Sequence, residues 1–209
     1  MDFTHIDPAQ ISAREAYALL LNCVAPRPIA FVSTLSPDGA PNLAPFSFFM
    51  AGGANPPSVV FSPTANRSGT DKDTLRNIEA TGEYVINVVT YAMREGMNRT
   101  SAEYPYGESE WESSGFTPVR CVRVRPDRVG ESPLSMECRL LQIVPHGAGP
   151  MAANYVIGEV VYFHVAREVM AESAVDPTLV DYIARMSGDW YARANAENMF
   201  EMVRPSKPS

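Results

Sequence analysis

One polar stretch of the chain has the composition of a phosphate-binding loop. Residues 62–74 carry the cations Arg67 and Lys72, one glycine and five hydroxyl side chains, four of which are candidate phosphate donors, and they lead into a predicted helix. A phosphate needs several hydrogen-bond donors and a positive potential, and the start of a helix supplies both. A solvated loop before a capped helix explains the pattern equally well, and Asp71 and Asp73 would repel a phosphate unless they cap the helix or pair with a cation. The candidate donor hydroxyls belong to Ser62, Ser68, Thr70 and Thr74.

A second stretch, residues 42–49, suits a planar heteroaromatic ring. It reads Asn-Leu-Ala-Pro-Phe-Ser-Phe-Phe, so Asn42 and Ser47 interrupt an apolar run. Pro45 cannot donate to a strand ladder, which places this strand at an edge or bends it. Free backbone groups and polar side chains then lie beside aromatic surface. A core strand with a proline bulge is the alternative.

Other kinds of catalytic or metal site are not indicated. The histidines and cysteines form neither a zinc-binding pattern nor a disulfide framework, and no serine lies in a Gly-x-Ser-x-Gly motif. The carboxylates are scattered, so no acid–base pair can be named. We therefore predict no metal site, no catalytic triad, and a buried structural role for Cys138. The residues considered are His5, His146, His164, Cys23, Cys121 and Cys138.

Composition predicts one globular domain spanning residues 1–209. Hydrophobic residues make up 45% of the 209 and charged residues 20%, and the net charge of −7 disfavours binding to nucleic acid or to anionic membranes. No apolar run approaches the roughly 18 residues of a membrane span. Acidic residues stand near the start, where a signal peptide would carry Lys or Arg, so we expect a cytoplasmic protein.

The hydrophobic pattern predicts short strands joined by turns, with few helices. Residues 29–35 and 40–49 form a hairpin around the Ser-Pro-Asp-Gly turn at 36–39, whereas 52–57 and 101–115 read as irregular segments. This alternation favours an antiparallel barrel or sandwich. Further strands are predicted at 58–62, 84–89, 134–144 and 155–165, and helices at 12–22, 71–82, 91–99 and 189–202.

These stretches, taken in order, resemble the flavin reductase-like family with the FMN-binding split barrel, in particular its flavoredoxin-like branch. Each motif is weak alone, but the ordered set covers nearly the whole chain. The motifs lie at residues 24–34, 42–49, 72–74 with 77–78, 84–88, 131–133 with 136–138, 158–160 and 184–191.

The resemblance implies a mainly β (α+β) fold, a six-stranded antiparallel Greek-key split barrel with peripheral helices. It also implies a homodimer with FMN near the dimer interface. Residues 186–188 read Met-Ser-Gly where the family pattern usually has two glycines. The implied cofactor-binding residues are Thr34, Asn42, Ala44, Phe46 and Ser47 near the ring and ribityl chain, Ser62, Arg67, Lys72, Asp73 and Thr74 at the phosphate, and Arg185, Gly188 and Tyr191 over the flavin.

The implied activity is that of an FMN-dependent oxidoreductase, or flavin reductase, which accepts a hydride from NADH or NADPH and passes electrons to a flavin or another acceptor. No protein side chain is assigned a catalytic role, because the flavin supplies the chemistry. Two alternatives stay open: a flavoredoxin-type electron carrier with little NAD(P)H reductase activity, and a scaffold that has lost its flavin. The chain has no Gly-x-Gly-x-x-Gly motif for a dinucleotide.

Overall fold

The computed structural model describes residues 1–66, 68–102, 104–105 and 108–205. Seven strands form one antiparallel sheet: β1 (Ala30–Leu35), β2 (Pro41–Phe46), β3 (Phe49–Ala54), β4 (Pro57–Phe61), β5 (Glu83–Asn87), β6 (Leu134–His146) and β7 (Ala153–Val165). A separate hairpin pairs β8 (Tyr182–Arg185) with β9 (Tyr191–Ala194). The helices are α1 (Ala13–Cys23), α2 (Asp73–Thr81), α3 (Arg94–Arg99) and α4 (Glu110–Ser114).

The order of the strands requires the main sheet to curl. It runs β2-β1-β5-β6-β7-β4-β3, so β2 and β3 lie at opposite edges. These two strands are nevertheless separated in the chain only by Ser47 and Phe48, which brings the two edges together at one point. With β2 and β3 taken as one strand bent at this point, the sheet is a six-stranded antiparallel split barrel. The predicted fold class is confirmed.

Two hydrophobic clusters stabilise the sheet. One includes Phe61, Tyr84 and Ile86 with the inner face of α2, which contributes Leu75 and Ile78. Burial of such side chains contributes roughly 1.5–3 kcal/mol each. The other cluster packs Phe31, Leu43, Met97, Trp111 and Val129 between the sheet and the short helices α3 and α4. The second cluster therefore holds β2 and α3 in fixed relation.

Several local predictions are confirmed. α1 begins with a capping box in which Ser12 and Glu15 bond reciprocally. Gly39 in the β1–β2 turn has φ +88°, and Gly82 closes α2 with φ +70°. Cys138 is fully buried in the first cluster.

Four local predictions are wrong. Residues 189–202 contain no α-helix: the Tyr-Ala-Arg-Ala run at 191–194 alternates with period two and forms β9. The strand predicted to run to Phe49 ends at Phe46, because the chain crosses there from one sheet edge to the other, and residues 52–54 belong to β3. The segment 101–115 holds α4, which lies between Ser109 and the left-handed Gly115 and buries Trp111. A helix of one turn is too short to show a period in sequence.

In the part of the chain that the structure describes, every helix is too short or too polar to cross a membrane.

Candidate functional site

The larger of two adjoining cavities has a volume of about 560 Å³. It lies between the end of β2, helix α3 and the β8–β9 hairpin. Apolar side chains and arginines share its wall, which is a common composition for small-molecule sites. Its lining includes Ile29, Pro45, Phe46, Ser47, Tyr91, Arg94, Met97, Ile183, Arg185, Tyr191 and Arg193.

The smaller cavity, of about 240 Å³, lies at the start of α2. Its wall includes Pro45 and Phe46, which also line the larger cavity. The edge strand β2 therefore runs past both spaces. The smaller cavity is lined further by Asn42, Ala44, Asn66, Asp71, Lys72, Asp73, Thr74, Tyr104 and Glu110.

The start of α2 presents hydrogen-bond donors to the smaller cavity. The helix begins at Asp73, directly after Lys72. The first N–H groups of a helix have no partner within it and carry a partial positive charge. Thr74, the second helical residue, accepts a hydrogen bond from the side-chain amide of Asn42 at 3.0 Å. This bond fixes β2 against the helix start.

Carboxylates also line the smaller cavity. Asp73 lies 3.8 Å from Arg76 on the same helix, and the amide of Asn154 is 3.5 Å from Asp71. Glu110 is buried, and its carboxylate accepts the backbone N–H of Leu43 at 2.9 Å. Burial raises the pKa of Glu110, which the Leu43 hydrogen bond only partly offsets. The charge of this cavity therefore depends on whether Glu110 is ionised.

The structure brings most of the predicted cofactor residues to these two cavities. Thr34, Ser62 and Gly188 line neither of them, and Arg67 lies outside the described residues. Nine others line at least one: Asn42, Ala44, Phe46, Ser47, Lys72, Asp73, Thr74, Arg185 and Tyr191.

The residues outside the cavities have specific surroundings. Thr34 is buried and accepts a hydrogen bond from the amide of Asn77 at 3.0 Å. Ser62 is also buried, and its Oγ has no hydrogen-bond partner among the described residues. Gly188 occupies the β8–β9 turn with φ +58°. Two hydroxyls of the predicted phosphate loop, those of Ser68 and Thr70, donate to Asn66 Oδ1 instead.

Arg27 was missed from the sequence as a residue that organises the site. Its guanidinium is buried and donates to Ser47 Oγ at 3.3 Å, and to the carbonyls of Leu21, Val24 and Met186 at 2.7, 2.6 and 2.6 Å. Its backbone pairs with that of Arg185 in both directions. Arg27 therefore joins the end of α1, the β2–β3 connection and the β8–β9 hairpin. The sequence signal that could have indicated this role is the position of the arginine between two prolines.

One cluster of potential metal ligands lies elsewhere among the described residues. Ligand atoms of Cys121, Glu137 and His164 lie within 4.8 Å of one another. The Glu137 carboxylate already accepts three backbone N–H groups, from residues 122–124, and contacts His164 Nε2 at 2.6 Å. Burial and the neighbouring Glu137 raise the pKa of Cys121 to about 12, so its thiol is protonated at neutral pH. The hydrogen bonds to Glu137 hold residues 122–124 against strand β6.

Comparison with known proteins identifies the family. The model of the flavin reductase like domain matches residues 22–187, which include β2, the start of α2 and the whole of β8. The chain belongs to the flavin reductase-like family. Membership implies flavin binding and agrees with the resemblance drawn from the sequence motifs.

Solved structures of flavin reductase-like proteins share the fold over the whole chain. Nitrilotriacetate monooxygenase component B from Bacillus cereus is 32% identical, with a TM-score of 0.90, over 97% of this chain and 100% of that chain. The Pseudomonas fluorescens 2-nitrobenzoate 2-nitroreductase NbaA is 29% identical, with a TM-score of 0.86 and 99% of each chain covered. A Shewanella frigidimarina protein described as a flavin reductase with a split barrel domain is 26% identical, with a TM-score of 0.79, over 99% and 100%.

The residues of the two cavities fit a flavin. A flavin carries a flat heteroaromatic ring, a polar ribityl chain and, in FMN, a phosphate. The Pro45–Phe46 wall offers apolar and aromatic surface for a ring, and the α2 start with Lys72 offers donors for an anion. Ser62 directly follows β4 and lines neither cavity, and its buried Oγ has no hydrogen-bond partner among the described residues.

Proposed function

We propose that this flavin reductase-like protein is an FMN-dependent oxidoreductase that takes a hydride from NADH or NADPH and passes electrons to a flavin or another acceptor. One observation carries the proposal: in a chain of this family, a single strand edge, Pro45–Phe46, lines both a cavity at a helix N-terminus and a larger, partly apolar cavity. The first cavity suits a phosphate, and the second leaves room for a reaction partner beside a ring.

The protein's part in this reaction is to bind and orient. Lys72, Thr74 and the first N–H groups of α2 would hold the phosphate, with Arg67 assigned there on sequence grounds. Asn42, Ala44, Phe46 and Ser47 would contact the ring and ribityl chain. FMN, when bound, supplies hydride acceptance and electron transfer. Arg185 and Tyr191, whose side chains stack at 4.5 Å, close the opposite side of the larger cavity.

We also propose a cytoplasmic homodimer. Large apolar side chains are exposed on β6 and β7, in two groups at opposite ends of this strand pair, and exposed apolar groups are typical of surfaces that contact another protein. They include Leu141, Val144, Tyr155, Tyr162, Phe163 and Val165. Light scattering of the purified protein measures the mass in solution, and a mass of one chain at micromolar concentration would contradict the dimer.

Anaerobic reduction tests the function. The purified protein is reconstituted with FMN, and NADH or NADPH is mixed with it under stopped flow while the visible flavin band is recorded. Bleaching by either nucleotide supports the reductase. Bleaching by a reduced redox protein but by neither nucleotide would replace it with the flavoredoxin-type carrier. A colourless protein that takes up no FMN would overturn both.

A further inference from the structure

We propose that the larger cavity contains an anion-binding subsite, formed by Arg94 on Tyr91, which selects small aromatic carboxylates. Binding of a carboxylate at this subsite does not depend on the proposed function. Its geometry lies outside the residues assigned above to the cofactor.

The centre of this subsite is a tyrosine ring that carries two guanidinium groups. The guanidinium carbons of Arg94 and Arg193 each lie 4.1 Å from the centroid of the Tyr91 ring. All three side chains line the larger cavity, and none lines the smaller one. Stacking of a flat cation on an aromatic face is favourable and restricts the side chain. The arginines are therefore held in place before any ligand arrives.

The two arginines differ in how many N–H donors remain available to a ligand. Arg193 donates to both carboxylate oxygens of Asp181, at 2.7 and 2.8 Å, so its charge is matched within the protein. Arg94 donates one hydrogen bond among the described residues, to the Tyr91 carbonyl at 2.9 Å. A guanidinium has five N–H donors in a planar fork that fits a carboxylate. Arg94 is therefore the anion-binding group.

The acids near the cavity do not cancel this charge. Glu95 lies 3.6 Å from Arg94, but its side chain is 73% exposed, and Asp189 beside Arg185 is fully exposed. Ion pairs of such exposed groups are screened by water and are weak. The Arg185 side chain, in contrast, is only 28% exposed. Glu95 and Asp189 also line the larger cavity, and Arg94 itself is 43% exposed, so the subsite rests on the weak pairing of Arg94 with an exposed carboxylate.

The other lining residues favour a ligand that has an apolar part. Ile29, Met97 and Ile183 are core side chains that also line this cavity. A ligand that satisfies both surfaces has a flat apolar part and one carboxylate.

Benzoate and its neutral analogue benzamide test the subsite by isothermal titration, which needs no turnover. We expect the wild-type protein to bind benzoate at least roughly tenfold more tightly than benzamide, because one charge-assisted pair is lost with the amide. Arg94→Gln should remove this preference, whereas Arg120→Gln should keep it. Arg120 is a matched control because its side chain is 89% exposed and lines neither cavity.

Equal affinity of the wild type for benzoate and benzamide would overturn the subsite, and this comparison does not depend on any variant folding. An Arg94→Gln variant that keeps the benzoate preference while its KM for NADH rises would also overturn it, because the arginine would then serve the dinucleotide. The titrations are run on flavin-free and FMN-loaded protein. Failure of the proposed function, seen as no FMN uptake or no bleaching, is thereby separated from failure of benzoate recognition.

Discussion

The guanidinium of Arg27 lies directly behind Ser47 and donates to its hydroxyl at 3.3 Å, so a buried cation supports the wall of the larger cavity. The same group binds three backbone carbonyls from α1 and the β8–β9 hairpin. No single helix or strand holds this side of the cavity in place. Arg27 does so by joining segments that are distant in sequence.

Replacement of Arg27 should destabilise the whole protein. Arg27→Gln cannot reach all three carbonyls, and buried groups without partners cost on the order of 3 kcal/mol in free energy of unfolding. Urea denaturation measures the loss, and Arg120→Gln, at an exposed site, should change stability by less than about 0.5 kcal/mol. Equal stability of the two variants would mean that Arg27 is not a structural junction.

Removal of the Lys72 ammonium should weaken binding of FMN but not of riboflavin. We expect Lys72→Ala to raise the FMN dissociation constant by roughly tenfold, because one charge-assisted phosphate contact is lost. Riboflavin lacks the phosphate and serves as the internal control in fluorescence titrations. A parallel loss of riboflavin affinity would indicate general damage to the site, and an unchanged FMN affinity would place the phosphate elsewhere.

Glu110 should make the protein less stable as the pH rises. Its pKa is raised by burial, so the ionised form is disfavoured in the folded state. The protein is therefore most stable below pH 4.5, the ordinary pKa of the carboxyl group. Its stability falls as the pH rises from there through the raised pKa of the folded state. Glu110→Gln should lack this decline, whereas Glu112→Gln, on the exposed face of the same helix, should retain it. Unfolding free energies from urea titrations at several pH values give the comparison.

The same substitution has a consequence for the cofactor. At a pH where Glu110 is ionised, Glu110→Gln removes a negative charge from the smaller cavity, so FMN should bind the variant more tightly than the wild type. The titrations that report on Lys72 measure this as well. Weaker FMN binding by Glu110→Gln would show that the carboxylate helps to shape the site.

Glu137 should have the opposite dependence on pH. Burial raises its pKa, but the hydrogen bonds from residues 122–124 and His164 outweigh burial, so the pKa is lowered overall. The ionised Glu137 stabilises the protein above pH 4.5, the ordinary pKa of the carboxyl group. This stabilisation is lost as the pH falls through the lowered pKa of the folded state. In Glu137→Gln, an amide NH₂ faces backbone N–H donors, so stability at pH 7 should fall by about 3 kcal/mol. The variant should then show less additional loss in acid than the wild type, which circular dichroism at decreasing pH can follow.

The local elements of this protein were readable from short sequence patterns. The capping box of Ser12 and Glu15, the turn at Gly39 and the closure of α2 at Gly82 depend on residues within a few positions of one another. The loop before α2 and the polar, proline-containing strand β2 were recognised for the same reason. Their chemistry lies in contiguous residues, and the ordered set of motifs indicated the family.

The tertiary structure alone decided which distant side chains meet. Arg27 and Met186 are 159 positions apart and are joined by one hydrogen bond, and Arg94 and Arg193 come together only because both stack on Tyr91. No periodicity reports such pairs, since each arginine taken alone reads as a solvated charge. The helix predicted at 189–202 failed for a related reason: β9 forms by antiparallel backbone pairing with β8. Local chemistry follows from neighbouring residues, whereas cavities and their charges follow from closure of the sheet.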